Sequence, residues 1–331
     1  MKRFIFILTI SALLLVSVSA CSDDKKSSST TSSTTTTAKS SNSSVDLTKL
    51  PLGDDMYSSS PKVGYIFSCR SSYDSSEGGA GTDGPWIDAV NKTWDSTSKV
   101  TVDGDVKWDA ASATFKVSGS NRIISSNALP TNSNTGTFPI ASSDDAYQYD
   151  RNPNSIKAQT ISYTLPVNPT EADEPECVGG EVGISVNGVP IFDGFDAGGR
   201  DAVAHEVQDE CGGHPQVAGE YHYHNLSTCL EITEDADVHS ALIGFALDGF
   251  GIFGPTEGGK TLRNADLDEC HGHASDVLWE GKEASMYHYH ATAEFPYTVA
   301  CFKADAVKPQ STGGPGAMGG PGGPGNPGPP R

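Results

Sequence analysis

The chain has 331 residues, with 22 Lys or Arg against 42 Asp or Glu, so its formal net charge is −20 at pH 7. This acidic balance argues against nucleic acid and against an anionic membrane surface as binding partners. After residue 50, apolar runs at helical spacing are scarce, and short β-branched or aromatic stretches between turn residues are common, which is typical of a mostly-β protein.

The N-terminus has the pattern of an export signal. Residues 1–20 start with two basic residues, continue as an apolar run too short for a stable membrane span, and end in small residues, which predicts a secretory signal peptide. The next residue, Cys21, stands in the context VSAC, which resembles the lipobox of bacterial lipoproteins and predicts lipidation of this cysteine. Plain cleavage by a signal peptidase after Ala20 is the alternative.

Composition divides the rest of the chain into three parts. From residue 22 to about 49 the chain is almost entirely Ser, Thr, Lys, Asp and Asn, which cannot bury enough apolar surface to offset the chain entropy. We predict a lipidated Cys21 with a flexible linker over 21–59, a folded β-rich domain over 60–306 and a disordered Gly/Pro-rich tail over 307–331.

The lipid would hold the protein at the bacterial cell envelope, on the outer membrane or the cell surface, as its sole contact with a membrane. The sequence indicates no particular protein or envelope-polymer partner.

The predicted secondary structure is mostly strand. One helix is predicted, around Asp88–Trp94, and the N-terminal part over 60–180 shows no recognisable catalytic motif. Runs rich in β-branched and aromatic residues and bounded by turn residues predict strands at Val63–Phe67, Thr114–Val117, Thr160–Thr164 and Gly183–Val186.

Two segments of the domain carry the same four elements in the same order. The first module, 181–232, contains ISVNGVPIF, DECGGH, YHYH and Cys-Leu, and the second module, 242–303, contains FALDGFGIF, DECHGH, YHYH and Cys-Phe. This agreement predicts a tandem duplication. Each module begins with Asn-Gly or Asp-Gly between apolar runs, which predicts a β-hairpin closed by a type I′ turn, and each Tyr-His-Tyr-His is predicted to be a strand.

Six cysteines remain besides Cys21, and six cysteines allow 15 pairings. The repeat selects among them if each module closes on itself, and the two cysteines left over then join the N-terminal part to the start of the first module. Each closed loop contributes about 3 kcal/mol in the chain-entropy model. The fold class is therefore predicted to be a disulfide-stapled, mostly-β domain containing a tandem repeat, with the disulfides Cys211–Cys229, Cys270–Cys301 and Cys69–Cys177.

Further motifs accompany the two modules. They are NPNSI followed by Gln159, the VNGVPIF run, the GRDAVA run that begins at Gly199, and the paired Cys-x-Gly-His and Tyr-His-Tyr-His motifs. Together, over about residues 60–303, they resemble the YHYH protein family, which is named for this tetrapeptide. The resemblance implies a secreted or lipid-anchored bacterial protein, and it implies no particular reaction or ligand.

The histidines are concentrated in the two modules, since all nine lie between residues 205 and 290. Successive side chains of a strand point to opposite faces, so the two histidines of each Tyr-His-Tyr-His share one face with their Cα atoms about 7 Å apart, close enough to bind one ion. His214 offers a third imidazole in the first module, and His271 or His273 offers one in the second. Three neutral imidazoles suit Zn²⁺ or Cu²⁺. The candidate metal ligands are His214, His222, His224, His271, His273, His288 and His290.

Each of these residues has a structural alternative. Buried histidines often bond only to backbone or carboxylate groups, so a duplicated hydrogen-bond network needs no metal. The pairs Asp209-Glu210 and Asp268-Glu269 could orient a ligand imidazole or act as a general base on a metal-bound water, or they could cap turns. His205 and His239 have no counterpart in the other module, and we predict structural roles for both.

Three functions follow from these alternatives. The leading hypothesis is a cell-envelope lipoprotein that binds a divalent transition metal, Zn²⁺ or Cu²⁺, through the histidines of the two modules. The second is a metal-dependent envelope enzyme, a hydrolase or an oxidoreductase, for which the sequence indicates no catalytic residue. The third is an adhesion or scaffold module without metal, in which the histidines are structural.

Overall fold

The computed structural model describes residues 45–230 and 239–308. The predicted signal peptide, the predicted lipidation of Cys21 and the predicted linker up to residue 44 lie outside the described residues, as does the predicted tail after residue 308. Within the described ranges, no helix is long and apolar enough to cross a bilayer.

Three small sheets are formed by the residues before the first module. The strands are β1 (Leu50–Pro51), β2 (Tyr57–Ser58), β3 (Ile66–Phe67), β4 (Ile87–Asp88), β5 (Thr93–Trp94), β6 (Ala113–Ser118), β7 (Asn121–Ser126) and β8 (Ile161–Pro166), with 3-10 turns at Ser75–Glu77 and Asp145–Gln148. They pair in the orders β1-β5-β4, β2-β3 and β6-β7-β8. In β8 the buried residues alternate with exposed ones, so that one face of this strand packs on the core.

Folded structure begins before residue 60, where the sequence predicts the end of a linker. Leu50 and Leu52 are buried, and Leu50 of β1 lies opposite Trp94 of β5. These two leucines interrupt the polar composition, and their burial offsets the cost of ordering the segment. Residues 45–59 therefore belong to the folded part.

The helix predicted around Asp88–Trp94 is wrong, because this segment is the β4-β5 hairpin. Oδ1 of Asp88 accepts hydrogen bonds from the backbone N–H groups of Val90 and Asn91, and Lys92 has a φ of 51°. An aspartate that bonds to backbone N–H groups two and three residues ahead favours a turn over a helix interior.

Both modules contribute to one eight-stranded sheet. Its strand order is β11-β12-β10-β9-β13-β14-β18-β17. The chain between β14 and β17 forms a separate two-stranded sheet, β15-β16. The elements are β9 (Glu181–Ser185), β10 (Pro190–Phe192), α1 (Ala202–His205), β11 (Gly213–Pro215), β12 (Tyr221–Tyr223), β13 (Leu242–Ala246), β14 (Gly251–Phe253), β15 (Thr256–Glu257), β16 (Lys260–Thr261), β17 (Gly272–Trp279) and β18 (Lys282–His290), with a 3-10 turn at Asn264–Asp266.

The two halves of this sheet have the same pairing pattern. In each half an antiparallel hairpin, β9-β10 or β13-β14, is followed by a parallel pairing of its second strand with the Tyr-His-Tyr-His strand, β12 or β18. That strand then pairs antiparallel with the strand after the Cys-x-Gly motif, β11 or β17, and β9 pairs with β13 at the centre. The protein is mostly β with three disulfides, as predicted. The tandem duplication itself stays a prediction.

The hairpin turns are present where they are predicted, but their type differs. Positive φ occurs at Gly188 and Gly249, while Asn187 and Asp248 keep negative φ. The N–H of Gly188 donates to the carbonyl of Ser185, whose own N–H donates to Val189, a pattern typical of a type I turn followed by a glycine bulge. Positive φ at both corners is found instead at Glu280 and Gly281, between β17 and β18.

The disulfides join the three predicted cysteine pairs, Cys69–Cys177, Cys211–Cys229 and Cys270–Cys301. The last two bonds fix the turn before β11 and the turn before β17 to the end of their own module. The main apolar core contains Ile184, Phe245 and Trp279, and a smaller cluster surrounds Tyr221 and Tyr223. Each outer part of the large sheet, which carries one group of histidines, is therefore fixed by one disulfide.

Candidate metal centres

The tyrosines and histidines of the two Tyr-His-Tyr-His strands occupy opposite faces of the sheet. Residues that lie opposite each other in neighbouring strands share a face, and this register links Tyr223 to Tyr289. Both histidine pairs therefore lie on the other face of the same sheet. The register runs through Ile191, Gly183, Ala246, Gly244 and Ile252.

Turn residues hold all four tyrosine hydroxyls. Each hydroxyl bonds a side chain of its own module that also shapes a turn, so the tyrosine face is rigidly fixed. The pairs are Tyr221 with Asp209, Tyr223 with Asn187, Tyr287 with Asp268, and Tyr289 with Asp248.

The aspartates before the module cysteines cap turns. Oδ1 of Asp209 accepts from the N–H of Cys211 at 3.0 Å and of Gly213 at 3.1 Å. Oδ1 of Asp268 accepts from its own pair of N–H groups at 2.9 and 3.1 Å. Neither carboxylate bonds a histidine in the described part of the chain, so the structure favours the capping alternative for both.

The first cluster consists of the three histidines predicted in the first module. His214 lies opposite His222 in the β11-β12 pair, and Nε2 of His222 is 3.1 Å from Nε2 of His224. All three side chains are buried, and both ring nitrogens of His214 lack a hydrogen-bond partner among the described residues. One ligand atom from each histidine lies within 4.8 Å of the others.

Glu206 joins the first cluster without having been predicted. Its Oε2 is 3.5 Å from Nε2 of His214 and 3.6 Å from Nε2 of His224. Burial, together with the negative charges of Asp196 and Asp150, raises the pKa of this carboxyl well above its ordinary value. The sequence carries no signal for Glu206, because it follows the short helix α1 and has no counterpart in the second module.

The second cluster contains four imidazoles. Nε2 of His288 is 3.0 Å from Nε2 of His239 and 3.0 Å from Nε2 of His290, which is 3.2 Å from Nε2 of His273. Oε2 of Glu257, on β15, lies 2.8 Å from Nε2 of His273. This cluster is thus similar to the first one, with one more histidine.

The sequence left two candidates for the third histidine of the second module, and the structure brings only one of them to the cluster. His273 lies opposite His288 in the β17-β18 pair, as His214 does in the first module. His271 has a φ of 74°, and its Nε2 bonds the hydroxyl of Thr292 at 3.0 Å, outside both clusters.

Two other histidines were predicted to be structural. His239 instead belongs to the second cluster, and sequence matching missed it because it precedes the module's hairpin, where the first module has no histidine. His205 lies at the end of α1 between Asp54 and Asp83, outside both clusters, in agreement with a structural role.

Backbone carbonyls fix the tautomer of the clustered histidines. A carbonyl oxygen can only accept a hydrogen bond, so an Nδ1 that faces one carries the proton, and Nε2 of the neutral ring then has a free lone pair. Five histidines have this arrangement, with Nδ1 bonded as follows: His222 to Glu220, His224 to Asp193, His239 to Ser240, His288 to Met286 and His290 to Gly254.

Comparison with known families identifies the segment that carries these motifs. Residues 162–264 match the model of the family described as YHYH protein. The resemblance to the YHYH protein family is confirmed. The match includes the whole first module and ends before the second YHYH strand, β18. No curated protein and no solved structure matches the chain.

Burial keeps the imidazoles of the YHYH strands neutral. It lowers the pKa of His224 to about 4, of His288 to about 3 and of His290 to about 2, and it lowers the pKa of His222 well below its ordinary value. Each cluster therefore presents the neutral ring nitrogens of its YHYH strand together with one carboxyl group. This is a donor set of the kind that holds divalent transition metals in proteins.

The two clusters are separate sites. The YHYH strands β12 and β18 have four strands between them, β10, β9, β13 and β14. Five spacings between neighbouring strands amount to roughly 24 Å. The histidines of the two modules thus cannot bind one shared ion.

Proposed function

We propose that this YHYH protein binds a divalent transition metal, Zn²⁺ or Cu²⁺, in each of its two histidine clusters at the bacterial cell envelope. The observation that carries the proposal is the contact between Nε2 atoms within each YHYH strand. The pairs are His222 with His224 at 3.1 Å and His288 with His290 at 3.0 Å.

A bound cation would account for these contacts between Nε2 atoms. With the proton of each ring held on Nδ1 by a carbonyl, two Nε2 lone pairs face each other and repel. A metal ion between them turns the repulsion into two bonds. Nitrogens bound to one tetrahedral zinc at about 2.05 Å lie about 3.3 Å apart, close to the separations in both clusters.

The surroundings of the imidazoles support the same function. Metal-binding histidines usually donate their other N–H to a carbonyl or carboxylate, which orients the ring, as five histidines do here. Glu206 and Glu257 each place one carboxyl group beside a cluster, and the ionised form of that group would partly compensate a divalent cation. The cysteines of both modules are in disulfides, so thiolate ligands do not compete.

Support for the envelope location comes from the sequence. The apolar N-terminus and the VSAC context of Cys21 favour export and lipid anchoring. Three disulfides fit an oxidising compartment outside the cytosol.

The two other hypotheses make different demands. A scaffold needs the Nδ1–carbonyl bonds alone and leaves the converging Nε2 atoms without a purpose. An enzyme needs, in addition to the converging Nε2 atoms, a substrate cleft and a catalytic group beside a cluster. Metal binding accounts for more of the geometry than either alternative.

Metal analysis of purified, tag-free protein tests the proposal. We expect about two ions of zinc or copper per chain, and the loss of one ion each in His222→Ala and His288→Ala, because each substitution removes a central ligand. The control is His271→Asn, which changes a buried histidine outside both clusters and should keep both ions. Circular dichroism would verify that each variant is folded. Less than one ion per chain, unaltered by the substitutions, would contradict the proposal.

A further inference from the structure

The third histidines of the two clusters occupy equivalent positions but differ in exposure. His214 lies opposite His222, and His273 lies opposite His288. The side chain of His214 is 4% exposed, whereas that of His273 is 26% exposed. The difference must come from what covers each cluster, since the strand pairing is the same.

Residues from the N-terminal part and α1 close the first cluster. Glu206 has a side chain that is 12% exposed, and Nζ of Lys99 donates to its backbone carbonyl at 2.6 Å. Gly79 packs so closely that a Cβ there would lie 2.5 Å from Oε1 of Glu206. All four candidate ligands of the first cluster are therefore enclosed.

At the second cluster, the carboxylate and the third imidazole reach the surface together. Glu257 is 21% exposed in its side chain, contacts His273 at 2.8 Å and accepts a hydrogen bond from the hydroxyl of Ser275. Behind this pair, His288 and His290 are fully buried. A continuous row of donor atoms thus leads from the solvent to the central imidazoles.

Building on the proposed metal binding, we propose that the second cluster is an exchange site, where a divalent ion enters and leaves through Glu257 and His273, while the first cluster retains its ion. An ion leaves a site by exchanging its ligands stepwise for water or for the donor atoms of an acceptor. Exposed ligands permit these steps in the native state, and a fully enclosed site needs local unfolding first. The ligand released would be a hydrated divalent cation or one taken up by a small chelating molecule.

Zinc release from the full, tag-free protein tests this inference. The zinc-loaded protein is mixed with an excess of the chromogenic chelator 4-(2-pyridylazo)resorcinol, and absorbance follows the release. We expect two phases of about equal amplitude, since each cluster holds one ion. His273→Ala should remove the fast phase and leave the slow one, because the second cluster then lacks one of its ligands and no longer stays loaded with zinc.

Two further variants sharpen the assignment. Glu257→Gln keeps the shape of the entry but removes its charge, and it should change the rate of the fast phase alone. Glu283→Gln makes the same change at an exposed position of β18 outside the cluster and should alter neither phase. A single phase for both ions, or a fast phase that persists in His273→Ala, overturns the inference while metal binding stands. A protein that carries no zinc after loading overturns the proposed function itself.

Discussion

At the scale of single residues, backbone carbonyls decide what the histidines can bind. For His224 and His290 the accepting carbonyl belongs to the residue just after the neighbouring hairpin strand, Asp193 after β10 and Gly254 after β14. The parallel pairing that positions each YHYH strand therefore also holds the proton of its last histidine on Nδ1. The Nε2 lone pair of that histidine is then available to bind a ligand, through one hydrogen bond per module.

The buried carboxyl of Glu181 should make the stability of the protein depend on pH. Burial raises the pKa of Glu181 to about 8 from the ordinary 4.5, and the hydroxyl of Tyr163 donates to this side chain. Between these two pH values the folded state keeps a proton that the unfolded chain releases. The contribution to the free energy of unfolding is thus complete below pH 4.5 and falls by about 1.4 kcal/mol per pH unit up to about pH 8.

Urea unfolding at several pH values checks this prediction with Glu181→Gln, which keeps the shape and cannot ionise. The wild-type protein should lose more stability than the variant between pH 5 and pH 8, and above pH 8 the two curves should run parallel. Identical pH dependence of the two proteins would show that Glu181 ionises normally in the folded state.

At the scale of elements, two turn glycines differ in how closely other atoms surround them. Gly188 has a φ of 87°, and a Cβ there would lie 2.5 Å from Cβ of Ala113. Gly281 has a φ of 74° and no neighbour within 4 Å of such a Cβ. Replacement by alanine should cost about 1–2 kcal/mol of left-handed strain at either position, and more at Gly188 because two strands must separate.

The free energies of unfolding of Gly188→Ala and Gly281→Ala, measured with urea, test this difference. Gly281→Ala serves as the matched control for strain without a clash. Equal losses of stability in the two variants would mean that β6 can move away from the first hairpin at little energetic cost. This result would contradict tight packing between Gly188 and Ala113.

Strand alternation was sufficient to predict the shared face of His222 and His224, and the repeated motifs were sufficient to predict the hairpins and the cysteine pairs. Both follow from local geometry and order along the chain. His239, Glu206 and Glu257 could not be predicted, because they reach the clusters from segments without a match in the other module. The segment near Asp88 forms a hairpin and not the predicted helix, because side-chain bonds to the backbone favour a turn there.

For the whole molecule, bound metal should act on global stability. An ion that binds only the folded protein raises the free energy of unfolding by about 2.7 kcal/mol per site at a free concentration 100 times the Kd. We therefore expect zinc to raise the melting temperature of metal-free protein. Magnesium, which prefers oxygen ligands, should leave it nearly unchanged.

Thermal unfolding monitored by circular dichroism measures this effect. The double variant His222→Ala/His288→Ala should lose the response to zinc while keeping the same secondary structure. An equal shift with magnesium, or an undiminished zinc shift in the double variant, would point to non-specific binding by the acidic surface.

The separation of the two clusters by four strands has a chemical consequence. Two-metal catalysis places its ions roughly 3.5–4 Å apart so that one oxygen can bridge them, whereas the sheet keeps the clusters roughly 24 Å apart. Ions held here would be mononuclear centres on a common rigid platform. The two ions could share no ligand, and each would be bound by the residues of its own cluster alone.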